Sequence, residues 1–193
     1  MMATLSEQQR KKLHPHKFML WVAMGSIVMM FAGFTSAYVV KRNQANWLEF
    51  RLPNIFWFST IVILLSSLTI HLATKAFKAR EMARYRTLIT VTAFLGVAFI
   101  VLQWMGFRSL EEHGVALIGA NSNAAGSFLG VITGVHMLHV LGGVIALLVM
   151  FFKAYSSRRK NYSPISIEIA GTYWHFVDGL WIYLFIFFNY LSS

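Results

Sequence analysis

The sequence contains five apolar stretches, each long enough to cross a lipid bilayer. Polar or charged residues bound these stretches, which lie at about 18–40, 54–76, 87–107, 127–152 and 167–190. Because a hydrocarbon core about 30 Å thick requires roughly 20 helical residues, each stretch predicts one transmembrane helix. We therefore predict an all-α fold class, a polytopic membrane bundle of five helices. Residues 1–17 are predicted to be a cytoplasmic tail, and 18–193 a single transmembrane domain.

Composition supports a membrane protein over a soluble one. Hydrophobic residues make up 57% of the chain and charged residues only 12%, which is unusual for a soluble domain. The net charge of +10 does not indicate a nucleic-acid partner, because the basic residues lie in short segments that flank the spans. Cysteine is absent, which excludes disulfides, thiolate metal sites and thiol nucleophiles. The first apolar run, about 23 residues, is too long for a cleavable signal core.

The distribution of Lys and Arg predicts the orientation of the chain. Thirteen of these residues lie in the tail and in the loops at 75–86 and 153–166, whereas four lie in the alternate loops. Because cytoplasmic loops are enriched in Lys and Arg, the amino end is predicted to be inside. Five spans then place the carboxyl end outside, in the periplasm.

Small residues in the fourth span predict close helix packing. Gly126, Gly130 and Gly134 are spaced four residues apart, and Gly142 and Gly143 follow them. Such spacing lines one helix face with a groove that a neighbouring backbone can approach. We predict an interhelical or intersubunit contact here; scattered glycine, common in membrane helices, is the alternative.

The same span carries two histidines, His136 and His139. Their i,i+3 spacing places both imidazoles on one helix face, so metal ligation is geometrically possible. A metal or haem site would need further ligands, however. We therefore favour imidazoles that bond to neighbouring helices.

The fifth span concentrates ionisable residues on one stripe. Glu168 and His175 lie seven residues apart, two helical turns, and His175 and Asp178 form an i,i+3 pair beside Trp174. An acid beside an imidazole lowers the penalty of burying both in lipid. We predict a polar clasp that packs this helix against the fourth span; proton handling and metal ligation are the alternatives.

Polar residues also occur in the second and third spans. They include Gln103, Ser66, Ser67 and Thr69. Because unsatisfied polar groups are unfavourable in lipid, we predict that these side chains form local or interhelical hydrogen bonds.

Two segments resemble a known family. TGVHMLHVLGG at 133–143 and YWHFVDGLWIYLF at 173–185 resemble subunit III of the haem-copper terminal oxidases. The first segment has Met137 where the family usually has Gly. FAGFTSAYVVKR at 31–42 is similar to the family's third helix, and the resemblance covers essentially the whole chain after residue 18.

The resemblance implies a function. The chain begins where the family's third helix would, as in the five-helix form of some bacterial oxidases. It is then the non-catalytic subunit III of a proton-pumping cytochrome c oxidase of aerobic respiration in the bacterial inner membrane. The family implies no redox cofactor, metal or catalytic residue in this chain, because haem and copper lie in partner subunits I and II. Family members stabilise subunit I, support proton uptake on the cytoplasmic side and bind phospholipid; a larger respiratory supercomplex is a further conceivable partner.

The sequence also departs from the family pattern. Ile27 occupies a position where the family often has a membrane glutamate, and the family's Gln-x-x-Glu-Tyr pattern runs from Gln103 to Phe107 without its acid. The family acids retained are Glu168 and Asp178. These departures argue against an obligatory proton wire through the chain.

Several alternatives remain open at this stage. Within the same kinship, the chain could be subunit III of a quinol oxidase or a subunit associated with nitric oxide reduction. In a different class, a stand-alone membrane haem or metal redox protein could use His136, His139 and His175. A transporter is disfavoured, because the sequence shows neither an inverted repeat nor a paired set of broken helices.

Overall fold

The chain folds as a bundle of helices. The computed structural model describes residues 15–43, 47, 52–115, 117, 123–155 and 164–191. Within that part of the chain there is no β-strand, and the five α-helices are α1 (Pro15–Arg42), α2 (Ile55–Lys78), α3 (Met82–Glu112), α4 (Ala124–Tyr155) and α5 (Pro164–Leu191). Each predicted span lies within one helix, apart from residue 54 at the start of the second span, which confirms the predicted all-α, five-helix fold. The predicted tail lies outside the described residues up to residue 14, and α1 includes its last three residues.

The helices extend beyond the predicted spans. The 31 residues of α3 correspond to about 46 Å, longer than a hydrocarbon core of about 30 Å and close to a bilayer with its headgroups. Four described helices, α1 to α4, are long and apolar enough to cross a membrane. The fifth, α5, is 28 residues long but carries the polar stripe that contains Glu168, His175 and Asp178. Its crossing of the membrane and the orientation of the chain stay predictions.

Two helices end in the same hydrogen-bonded motif. After α2, the N–H groups of Arg80 and Glu81 donate to the carbonyls of Phe77 and Ala76, and Arg80 has a φ of 60°. After α3, Val115 closes the equivalent bond and Gly114 has a φ of 84°. This arrangement satisfies carbonyls that the helix end leaves unpaired, and it requires a left-handed residue, usually Gly. The tight turn at Arg80 sends α3 back along α2.

Helices α4 and α5 lie at the centre of the bundle, between the hairpin of α2 and α3 and the single helix α1. The hairpin of α2 and α3 packs against α4 through α3 and against α5 through α2. On the other side, α1 packs against both α4 and α5, and its described residues contact neither α2 nor α3. A gap between α1 and α2 therefore exposes part of α5.

Aromatic side chains attach α1 to its neighbours. Tyr38 is completely buried, and its ring contacts Phe187 and Phe188 of α5 at centroid distances of 5.4 and 5.5 Å. Thr35 Oγ1 also lies 3.0 Å from the hydroxyl of Tyr183. Edge-to-face aromatic contacts of this kind add about 0.5–1.5 kcal/mol each beyond the area they bury. These contacts hold α1 on α5 without help from α2 or α3.

Candidate functional site: the polar interior of the bundle

Trp174 is the side chain on which four helices converge. It extends from α5, is completely buried, and fits between Gly96 of α3 and Gly143 of α4. A methyl group at Gly143 would lie 2.8 Å from Trp174 Cε3, and one at Gly96 would lie 3.0 Å from Trp174 Cη2. The indole Nε1–H donates a hydrogen bond to Ser66 Oγ of α2 at 3.0 Å. Because an added methyl group would crowd the indole at both positions, the two glycines form the slot that admits it.

The second helix supplies hydroxyl groups to both of its neighbours. Besides the Ser66 bond, its interhelical contacts are Trp181 Nε1–H to Thr60 Oγ1 at 3.0 Å, Gln103 Nε2–H to Ser59 Oγ at 3.1 Å, Thr92 Oγ1–H to Thr69 Oγ1 at 2.9 Å, and His175 Nδ1 with Ser67 Oγ at 2.6 Å. These bonds confirm the predicted hydrogen bonding of Gln103, Ser66, Ser67 and Thr69. Such bonds satisfy polar groups that lipid cannot.

The polar clasp was predicted to pack α5 against α4, but its histidine bonds to another helix. His175 Nδ1 bonds to Ser67 of α2, not to Asp178, so this contact joins α5 to α2 rather than to α4. Asp178 is 2% exposed, and its carboxyl oxygens form no hydrogen bond with the described residues. Ser67 lies beside that carboxyl, while the ring of His71 lies 6.2 Å from that of His175. A serine hydroxyl thus separates the imidazole and the acid that the i,i+3 spacing had paired.

Glu168 forms ion pairs with two other helices. Its Oε2 lies 2.6 Å from Nζ of Lys17 on α1, and its Oε1 lies 2.8 Å from Nζ of Lys78 on α2. All three side chains are partly exposed, so solvent screens each pair and limits its contribution to stability. Glu168 therefore shares the predicted stripe with His175 along the helix but is bonded to different residues.

The two histidines of α4 lie in apolar, aromatic surroundings. His136 is completely buried and stacks on Trp181 at a centroid distance of 5.5 Å. Neither of its ring nitrogens has a hydrogen-bond partner among the described residues. His139 Nδ1 lies 2.8 Å from the carbonyl oxygen of Val135 in its own helix. The ring of Phe31 contacts both imidazoles edge-on, at 6.3 and 6.0 Å.

The three histidines of the redox alternative do not converge. His136 lies against Trp181, His139 bonds to its own helix, and His175 faces Ser67 of α2. Within the described ranges, no three His, Cys, Asp or Glu side chains are grouped so that they could hold a metal ion. The arrangement thus gives no support to a haem or metal centre made by this chain.

The predicted glycine face is used unevenly. A methyl group added at Gly143 would contact Trp174. One at Gly142 would lie 3.9 Å from the hydroxyl of Tyr173, and one at Gly130 would lie 3.0 Å from the carbonyl oxygen of Leu117. Gly134 has no atom within 4 Å of that position. Gly126 is buried. Gly143 and Gly130 are therefore closely packed, whereas the open position at Gly134 faces outward.

Sequence reasoning missed several residues that the structure brings into the interior. Gly96 and Gly106 of α3 receive Trp174 and the ring of Phe56, respectively. The sequence does show two glycines in a helix of mostly bulky residues. It does not show which aromatic rings of other helices pack against them. Lys17 and Lys78 were counted only as orientation charges, because their acid lies on another helix.

Fold and interior together define a class of protein. Buried polar side chains bond its apolar helices to one another, which is typical of a helical membrane protein. Residues 16–193 match the family model described as "Cytochrome c oxidase subunit III", and the chain therefore belongs to the cytochrome c oxidase subunit III family. This match confirms the resemblance drawn from the two motifs.

Curated relatives agree with the family match. "Probable cytochrome c oxidase subunit 3" of Mycobacterium tuberculosis (strain ATCC 25618 / H37Rv) is 32% identical over 170 residues, which cover 85% of this chain and 82% of the relative. "Cytochrome c oxidase subunit 3" of Corynebacterium diphtheriae is 30% identical over 179 residues, with coverages of 86% and 85%. The Synechocystis protein of the same name is 30% identical over 186 residues, with coverages of 90% and 75%. The chain is thus a membrane-embedded subunit of an oxidoreductase complex and works with other oxidase subunits.

Proposed function

We propose that this chain is the non-catalytic subunit III of a proton-pumping haem-copper cytochrome c oxidase in a bacterial inner membrane. In that role it stabilises subunit I, supports proton uptake on the cytoplasmic side and binds phospholipid. The observation that carries the proposal is the use of its interior polar groups: Trp174, His175 and Gln103 bond to hydroxyls of α2. Side chains held in this way shape a rigid scaffold for a partner.

The proposal assigns no cofactor to this chain. The haem and copper of the oxidase are assigned to subunits I and II, where they supply the electron transfer and oxygen reduction. In this chain, the imidazole of His136 is covered by Trp181, and His139 bonds to its own helix. These contacts support a structural role for both imidazoles.

Support for a role in proton uptake comes from one end of the bundle. Glu168, His71 and His175 line a common pocket with Lys17 and Lys78, and the positive-inside rule places this end on the cytoplasmic side. Carboxylate and imidazole groups near a membrane surface can hold and pass protons. A continuous route through this chain is not part of the proposal, since Ile27 and Gly106 replace acids of the family pattern.

The test compares the oxidase purified with and without this chain. We expect the same haem spectrum in both preparations, a lower thermal midpoint for the haem-bearing subunit without the chain, and an oxygen-reduction rate that falls more steeply as pH rises. The fall has this sign because protons become scarce at high pH, so that uptake limits the rate first where its support is missing. Haem absorption from the isolated chain, or unchanged stability and pH profile in its absence, would contradict the proposal.

The quinol oxidase alternative concerns the electron donor rather than this chain. The relatives compared above carry cytochrome c oxidase names, which favours cytochrome c. Purifying the intact complex distinguishes the two: a copper site in the companion subunit II indicates cytochrome c, and its absence indicates quinol.

A further inference from the structure

Asp178 is a buried acid that the bonds between the helices leave unused. Its side chain is 2% exposed, and its carboxyl oxygens form no hydrogen bond with the described residues. Trp174 and Trp181 lie about one helical turn away on the same face of α5, but their N–H groups donate to hydroxyls of α2. A bare carboxylate is strongly unfavourable in such surroundings, so burial favours the form of the acid that carries a proton.

A serine hydroxyl lies between this acid and a histidine. Ser67 of α2 is beside the carboxyl of Asp178, and its Oγ lies 2.6 Å from Nδ1 of His175. A hydroxyl donates one hydrogen bond and accepts others, and its proton rotates to suit its neighbours. Ser67 can therefore accept a proton from the imidazole and donate its own to the carboxylate while its oxygen stays in place.

The histidine in turn reaches a pocket at one end of the bundle. The pocket has a volume of about 470 Å³ and lies against α5 between α1 and α2. His175 lines it together with His71, whose ring lies 6.2 Å from that of His175. Ser67 takes Nδ1 of His175, which leaves Nε2 as the nitrogen that can exchange protons with the pocket. The positive-inside rule places this end in the cytoplasm.

The charged groups of the pocket lie farther from the acid than the imidazole does. Glu168 precedes Asp178 by ten residues, about 15 Å along α5. It forms ion pairs with Lys17 of α1 and Lys78 of α2, so these three charges are bonded to one another at the mouth. The imidazole and the hydroxyl therefore form the link between the pocket and the buried carboxyl.

The imidazoles of α4, which packs on another side of α5, have no comparable link. His136 stacks on Trp181, and neither of its ring nitrogens has a hydrogen-bond partner among the described residues. His139 Nδ1 bonds to the carbonyl of Val135 in its own helix. The sequence of groups from a pocket to a buried acid is thus formed by α2 and α5.

We propose that Asp178 is a proton-binding group that exchanges its proton with the cytoplasm through Ser67, His175 and the pocket. Carboxylate and imidazole groups within a membrane form proton relays of this kind. The indole groups on either side of the acid are bonded to α2, so the route ends at Asp178, which holds a proton rather than carrying it across the membrane. The inference rests on the proposed role in proton uptake and deepens it by naming the group that holds the proton.

Loading moves one proton from the pocket to the acid. A hydronium ion in the pocket gives a proton to Nε2 of His175 and becomes water, and the resulting imidazolium gives the proton on Nδ1 to Ser67 Oγ. The hydroxyl proton that Oγ already carried passes to the carboxylate of Asp178, where a new O–H bond forms. The histidine ends neutral with its proton on Nε2, and the serine ends as a hydroxyl. Release runs through the same steps in reverse.

Infrared spectroscopy of the intact oxidase tests the proposal without turnover. The C=O stretch of a protonated carboxylic acid is resolved from the amide bands, and it shifts when the acid proton is exchanged for deuterium. Subtracting the spectrum of Asp178→Asn assigns the band, and Asp178→Glu, which keeps an acid, should retain it at a changed frequency. We expect the band of Asp178 at neutral pH, and we expect it to shift after transfer to D₂O at a measurable rate.

Two variants of nearly equal shape isolate the hydroxyl of Ser67. Ser67→Val removes the hydroxyl, whereas Ser67→Thr keeps it. We expect deuterium exchange at Asp178 to be about a hundredfold slower in Ser67→Val, because a positioned proton donor contributes a factor of that order. The rate in Ser67→Thr should stay near that of the unmodified complex. Thr60→Val is the packing control, because it removes a hydroxyl of the same helix that bonds to Trp181, and it should leave the exchange rate unchanged.

Four results would overturn the proposal. Absence of the Asp178 band would mean that the acid is ionised, and a band that does not shift in D₂O would mean that the acid is isolated. Equal exchange rates in Ser67→Val and Ser67→Thr would exclude the hydroxyl from the route. The same slowing in Thr60→Val as in Ser67→Val would assign the effect to altered packing.

Failure of this inference is distinguishable from failure of the proposed function. An unchanged pH profile of oxygen reduction in the oxidase without this chain contradicts the proposed function, whatever the infrared band shows. A pH profile that depends on the chain, together with an absent or non-exchanging band, keeps the proposed function and excludes Asp178 as the proton-binding group.

Discussion

At the scale of single residues, Gly143 and Gly134 show how context decides what a glycine does. Both lie on α4 and both belong to the predicted small-residue face. A methyl group at Gly143 would lie within 2.8 Å of the buried Trp174 ring, whereas one at Gly134 would meet no atom within 4 Å. The sequence spacing was the same kind of signal for both, and only the position of a ring from another helix separates them.

We therefore expect Gly143→Ala to destabilise the bundle and Gly134→Ala to leave it unchanged or slightly stabilised. Overpacking a well-filled core costs about 1–3 kcal/mol, while Gly to Ala in an exposed helix interior gains up to about 1 kcal/mol. Thermal unfolding of the two variants in the same detergent measures the difference. Equal midpoints for the two variants would show that the indole can move aside with little loss of unfolding free energy.

Spacing within one helix did not predict which side chains of other helices bond to its residues. The i,i+3 rule paired His175 with Asp178, yet the structure bonds His175 to Ser67, 108 residues away. Spacing within one helix gives the relative direction of two side chains, but it contains no information about which neighbour competes for them. The same limit hid the ion pairs of Glu168 with Lys17 and Lys78.

At the scale of helices, length and apolarity predicted nearly everything about the elements themselves. Five long apolar stretches yielded five helices, and basic residues lie in the last turns of α1, α2 and α4. The pairing of the helices could not be predicted in this way, because each apolar surface is equally suited to lipid and to another helix. The hydroxyls of α2 favour its pairing with α3 and α5, since they need partners that lipid cannot provide.

A double-mutant cycle on Ser59 and Gln103 tests this role of α2. Gln103 is completely buried, and its Nε2–H donates to Ser59 Oγ across the contact between α2 and α3. We expect a coupling energy of about 0.6 kcal/mol, and no more than about 1.7 kcal/mol, between Ser59→Ala and Gln103→Leu. The unfolding free energies of the two single variants and the double variant supply the measurement. Strict additivity would mean that the bond does not hold α2 to α3.

At the scale of the whole molecule, orientation is the prediction with the widest consequences. The positive-inside count places the connection between α2 and α3 in the cytoplasm and the end of α3 outside. Because the chain has no cysteine, single cysteines report position without background. We expect Arg84→Cys to react with a membrane-impermeant thiol reagent only from the cytoplasmic side, and His113→Cys only from the periplasmic side. Reaction of both from one side would overturn the five-span topology, and the reverse pattern would invert it.

The position of Trp174 also bears on how the protein is made. Synthesis delivers α5 after the other four helices, yet the indole of α5 fills the slot formed by Gly96 and Gly143 and reaches Ser66. Until α5 arrives, α2, α3 and α4 have a vacancy between them that only the late helix can close. Docking of α5 therefore locks together three helices that precede it in the chain, and a truncation before α5 is expected to leave this slot open.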